Sequence, residues 1–100
     1  MNGTSKVAFD RYVFDVLMRD LVGHDGRASA YLVYLHLGSR AARGVVRASY
    51  TDVASATGLS KRGVQEAVAW LARRQLIDVT REGPTSVPLY AVRQPWRRSA

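Results

Sequence analysis

One hundred residues, 47% hydrophobic and 23% charged, suit one folded domain over residues 1–100; they exclude a disordered chain and leave no room for a catalytic domain beside a binding domain. No apolar run approaches the ~18 residues of a membrane span, the N-terminus lacks a signal-peptide pattern, and the absence of cysteine removes disulfides and thiolate metal sites, so the reading is a cytoplasmic protein without membrane contact. The formal net charge of +7 favours polyanionic partners, and it is unevenly spread: residues 1–26 carry three basic and four acidic side chains, residues 27–100 twelve basic and four acidic.

Met1 to Lys6 is polar and aperiodic, and is expected to be loose. Phe9, Tyr12, Val13, Val16, Leu17 and Leu21 follow helical spacing and predict a helix over about 9–22. Gly23-His24-Asp25-Gly26 then breaks it, and His24 beside Asp25 reads as turn chemistry because no third ligand or nucleophile lies nearby in sequence. Arg27 to Arg43 predicts a second helix, with Ala28, Tyr31, Leu32, Leu35 and Ala42 on one side and Val33, Tyr34 and Leu37 on others. A helix apolar over most of its circumference is covered from several directions, which makes this the core helix, with His36 packed within it and Gly44 as its stop. Val45 to Ala48 follows as a short strand.

Ser49 can cap a third helix, with Asp52 three residues on in a capping-box pattern and Val53 and Ala54 opening its buried face. Gly58 ends it. Ser60 is placed to cap a fourth, on which Val64, Ala67, Val68 and Leu71 share one face while Lys61, Arg62, Gln65 and Glu66 fall on another. One apolar face to anchor and one basic, polar face to present is what reading a DNA groove requires. Leu76 to Thr80 and Leu89 to Arg93 read as antiparallel strands around the turn-rich Arg81-Glu82-Gly83-Pro84-Thr85-Ser86, and in the closing Gln94-Pro95-Trp96-Arg97-Arg98 the indole is expected to pack back onto the domain.

Ala54, Gly58 and Val64 resemble the helix-turn-helix signature of a small residue, a turn glycine and a buried branched residue, and Thr57-Gly58-Leu59-Ser60-Lys61-Arg62-Gly63-Val64-Gln65 resembles the turn and recognition helix of bacterial winged helix-turn-helix proteins. The pattern departs at Ala67, where a branched apolar residue is usual. The resemblance covers roughly residues 27–96. It implies a mainly α fold with a small β-wing (α+β): a three-helix core, an N-terminal helix, and a two- to three-stranded antiparallel sheet, with the helix-turn-helix at about 50–74 and the wing at about 77–93. It also implies sequence-specific binding of double-stranded DNA by a transcriptional regulator. The same pattern resembles DNA-binding domains of plasmid and phage replication initiators, and some winged helices serve instead as protein-interaction modules.

On that reading Ser60, Lys61, Arg62, Gln65 and Glu66 enter the major groove, where Gln65 suits an adenine edge and Glu66 a cytosine amine. Arg81, Thr85 and Ser86 form a basic wing on the backbone, and Arg47, with Arg40 and Arg43, adds phosphate contacts. Arg73 and Arg74 complement the helix dipole or remain solvated. No cofactor or metal is expected, and an enzyme is disfavoured: the sequence has no HExxH, phosphate-cradling glycine loop or Gly-x-Ser-x-Gly, and Asp10, Asp15, Asp20 and Asp25 are spread at intervals of five. A winged helix core does not need residues 9–21, so their apolar stripe is expected to be covered either by the same chain's core helix or by a second copy, and a homodimer is the favoured reading.

Overall fold

The structure, a computed structural model, describes residues 5–97, so Met1–Thr4 of the segment expected to be loose and Arg98 of the closing sequence lie outside it. Its elements are helix α1 (residues 11–24), α2 (Ala28–Arg40), strand β1 (Val45–Arg47), α3 (Tyr50–Thr57), α4 (Lys61–Arg73), β2 (Ile77–Thr80) and β3 (Leu89–Val92). The strands form one antiparallel sheet in the order β1-β3-β2, with Tyr90 opposite both Val46 and Val79.

α1 differs from the helix expected. Its turns are widened over Val13–Leu17 and Arg19–His24, where backbone N–H groups reach the fifth residue back instead of the fourth. The Val13 carbonyl accepts both from the Met18 N–H and, at 2.9 Å, from the phenol of Tyr31 on α2. Widening brings residues four apart close to one line, and Val13, Leu17 and Leu21 at that spacing are the buried ones. The helix therefore completes the hydrophobic core, contrary to the expectation that the core does not need it. The helix runs through Gly23 and His24 and ends within the expected Gly23-His24-Asp25-Gly26 turn. The stop is Gly26, left-handed at φ 66°, which lets the Arg27 N–H return to the Leu21 carbonyl at 2.7 Å.

α2 is the central helix, as its composition suggests, burying Ala30, Tyr31, Val33, Tyr34 and Leu37 against α1, α3, α4 and β3. Leu32, expected on the core side, faces outward and is 44% exposed. The helix ends at Arg40, short of Arg43; Gly44 is left-handed but serves the turn into β1 together with Arg43, at φ 55°.

α3 and α4 form as their sequences dictate. The Ser49 hydroxyl accepts from the Asp52 N–H at 3.0 Å, Gly58 closes α3 in the left-handed conformation, and the Ser60 hydroxyl accepts from the Gly63 N–H at 2.9 Å. Val53, Val64, Ala67, Val68 and Leu71 are buried with Leu76, Ile77 and Tyr90. Each such Val, Leu or Ile contributes about 1.5–3 kcal/mol through burial. The Tyr90 hydroxyl is buried without a described partner, and burial pushes its pKa up to about 12.

The two ends of the described chain are clasped together. Trp96 packs back as expected: its ring stacks on Tyr12 at 4.6 Å, and its Nε1 donates to Asp10 at 2.9 Å. Arg97 donates twice to the same carboxylate, at 2.6 Å each. These hydrogen bonds, from Arg97 foremost and then Trp96, hold the Asp10 pKa down at about 2. A carboxyl depressed in the folded state stabilises fully above its unfolded value, and that stabilisation is lost as pH falls from about 4 towards 2. Thermal melts across this window should show the loss in the parent and a flatter profile in Asp10→Asn; identical profiles would show that the clasp holds nothing.

Candidate nucleic-acid interface

Burial of Val64, Ala67, Val68 and Leu71 fixes the rotation of α4, leaving Lys61, Arg62, Gln65, Glu66 and Ala69 on its exposed face. Along one flank of that face runs an open cleft of about 260 Å³. Lys61 and Gln65 form one wall, Ser49, Tyr50 and Thr51 at the start of α3 form the floor, and Arg81 with the wing residues Pro84 to Pro88 forms the other wall. The structure thus brings together Lys61, Gln65, Arg81, Thr85 and Ser86, which lie far apart in sequence. Tyr50 and Thr51 join them. The sequence did carry a signal for these two, since they follow the Ser49 cap as the first residues of α3.

The other expected site residues are placed differently. Ser60 spends an oxygen lone pair on its cap. Arg62 and Glu66, one turn apart, form an exposed pair at 3.5 Å beside the cleft; such pairs are worth little in water and open readily. Arg81 sits at the base of the wing, its guanidinium 5.1 Å from the Tyr50 ring centre and its Nη1 donating to the Ser86 carbonyl at 3.3 Å. Arg47 donates to the Val87 carbonyl at 2.9 Å from β1. Both exposed arginines thus hydrogen-bond carbonyls of the wing while keeping donors towards solvent. The turn that the Ser86 N–H closes on the Gly83 carbonyl carries no cation, so the wing's positive charge lies at Arg81 beside α4. Arg40 and Arg43, at the end of α2 and in the turn after it, are exposed and line none of the clefts beside α4.

The far end of α4 is held by residues that sequence spacing assigned to a turn and to solvent. The Asp25 side chain, 4% exposed, accepts from Trp70 Nε1 at 2.9 Å, from Arg74 and from His24. Arg74 also reaches Asp20 at 3.0 Å. Burial alone would raise the Asp25 pKa, but the hydrogen bonds from His24, Trp70 and Arg74 together hold it below the ordinary value. Asp25 is therefore a structural anchor between α1 and α4, and Arg74 is neither solvated nor simply a dipole partner.

With four helices and a three-stranded antiparallel sheet among the described residues, the chain has the winged helix-turn-helix fold, with β2 and β3 as the wing strands. No protein-family model matches it, and no curated protein matches it. Among solved structures it is similar to the crystal structure of the AntR antimony-specific transcriptional repressor, at 21% identity and a TM-score of 0.52, over 94% of this chain and 77% of that one.

Proposed function

We propose that this chain is a transcriptional regulator that binds double-stranded DNA sequence-specifically, with the start of α4 in the major groove and the wing against the flanking backbone. The observation that carries the reading is the cleft in which Lys61 and Gln65 of α4 face Arg81, Thr85 and Ser86 of the wing across the start of α3. Likeness of fold to a transcriptional repressor supports it. The exposed face of α4 begins Lys61-Arg62, whereas the centre of a protein-binding surface is depleted of lysine and charge, which weighs against an interaction module. In this reading the protein acts in the bacterial cytoplasm as a homodimer. Phe14, Met18 and Val22 of α1 and Leu32 of α2 are 39–47% exposed and supply the apolar surface for a second copy, which would let two α4 helices read two half-sites.

Selection of bound sequences from a random duplex pool tests the reading, followed by binding of three variants to the recovered site. Arg62→Ala and Gln65→Ala are expected to relax preference at particular base pairs, by about 1–3 kcal/mol for a bidentate contact, and Arg81→Ala to weaken all sequences alike. Recovery of no motif would show that α4 does not read bases. A uniform loss from all three variants would reduce it to a backbone contact.

A further inference from the structure

A second open cleft, also about 260 Å³, lies along the opposite flank of α4 and is lined by Arg27, Glu66, Ala69, Trp70 and Arg73. Helical geometry places Arg62 and Arg73 nearest the centre of the exposed face, Lys61 and Gln65 to the wing side, and Glu66 and Trp70 to the other, and the Arg73 side chain leans to the Trp70 side, where it lines this cleft. The Trp70 ring is pinned by its hydrogen bond to Asp25. Arg27, which immediately precedes α2, lays its guanidinium 4.5 Å from the centre of that ring, and Arg73 approaches to 5.8 Å. Of the neighbouring carboxylates, Asp20 and Asp25 are engaged by Arg74, and Glu66, at the edge of the cleft, lies 3.5 Å from Arg62. Among the described residues neither Arg27 nor Arg73 forms a salt bridge. Two guanidinium groups are thus oriented on an aromatic platform, with N–H donors left for an outside acceptor.

The dimensions of a duplex say what that acceptor is. An α-helix with its side chains is about 10–12 Å across and the major groove about 12 Å wide, so a helix seated in the groove brings both its flanks to phosphate walls. The wing-side flank meets one strand with Lys61, Arg81 and the start of α3. The opposite flank presents Arg27 and Arg73. We propose that Arg27 and Arg73, stacked on Trp70, hold phosphates of the strand across the groove from the wing, so that α4 is clamped from both sides. This inference rests on the DNA-binding reading of α4 and adds a second backbone contact to it.

Binding of the full chain to a short mixed-sequence duplex, titrated at several salt concentrations, tests the clamp. Each of Arg27→Ala and Arg73→Ala should lower the slope of log K against log salt by about 0.9, and the double variant by about twice that, one released counterion set per phosphate. Arg11→Ala, paired with Asp15 on α1 and outside both clefts, should change it much less. In a Trp96→Phe background, where Trp70 is the remaining tryptophan, its fluorescence should change on adding duplex. Arg73 is exposed on the helix surface, so Arg73→Ala retains the fold, and Arg27→Gln serves if Arg27→Ala melts early. Unchanged slopes and unchanged Trp70 emission while the parent still binds would overturn the clamp alone; a parent that does not bind duplex at low salt would overturn the reading beneath it.

Discussion

Duplex affinity is expected to fall about 500-fold between 50 and 200 mM salt, because neutralising about five phosphates gives a slope of log K on log salt of about −4.5. The number five follows from which cations are already committed. Arg11 pairs with Asp15, Arg74 with Asp20 and Asp25, Arg93 with Asp78, and Arg97 with Asp10, so these charges contribute little to an incoming polyanion. Arg62 likewise pairs with Glu66, which leaves five cations on or beside α4: Lys61, Arg81 and Arg47 on the wing side, with Arg27 and Arg73 opposite. Titrations at several salt concentrations with one duplex give the slope directly. Undetectable binding at low salt would remove the nucleic-acid reading altogether, and a slope near −1 would confine contact to a single phosphate.

Val13→Asp and Leu17→Asp should unfold the domain. Both side chains are nearly inaccessible to solvent, within the core that α1 shares with α2. Placing an unpaired charge there costs about 4 kcal/mol or more, a large part of the 5–15 kcal/mol that typically holds a domain together. Phe14→Asp and Met18→Asp, one residue along in each case, point outward and should leave the fold intact. Circular dichroism separates the pairs, and sedimentation equilibrium of the second pair then addresses self-association cleanly. Conversion of a parent dimer to folded monomers by Phe14→Asp or Met18→Asp would support the interface. A parent monomeric at tens of micromolar would remove the dimer, and a folded Val13→Asp would contradict the packing of α1.

The contrast between Val13 and Phe14 also marks where sequence reading stops. The caps at Ser49 and Ser60, the left-handed Gly58 and the buried stripe of α4 were legible because each depends on residues within a turn or two of its partner. Spacing could not choose among the apolar residues of α1, since Val13 and Phe14 are equally apolar and the widened turns decide which side is inward. Local sequence shows Asp25 only as part of a turn, because its partners, Trp70 and Arg74, are 45 and 49 residues away. Arg81 and Arg47 stand out in the sequence as cations, but their hydrogen bonds to wing carbonyls depend on how β1 and the wing meet in space. The candidate site was thus legible as a set of residue types on α4 and the wing. Its second flank, built from Arg27 before α2 and Trp70 at the end of α4, exists only once the helices pack.

The clasp of Asp10 with Trp96 and Arg97 bears on how long the folded state lasts. Its members are 86 and 87 residues apart, and closing a flexible loop of that length costs about 4 kcal/mol of chain entropy before any contact repays it. A search for the folding nucleus favours the short loops that join α2, α3 and α4, so the clasp closes after the barrier has been crossed. Interactions absent from the transition state slow unfolding without hastening folding. Trp96→Ala should therefore raise the unfolding arm of a denaturant chevron and leave the refolding arm where it was; slower refolding would place the two chain ends together already in the nucleus.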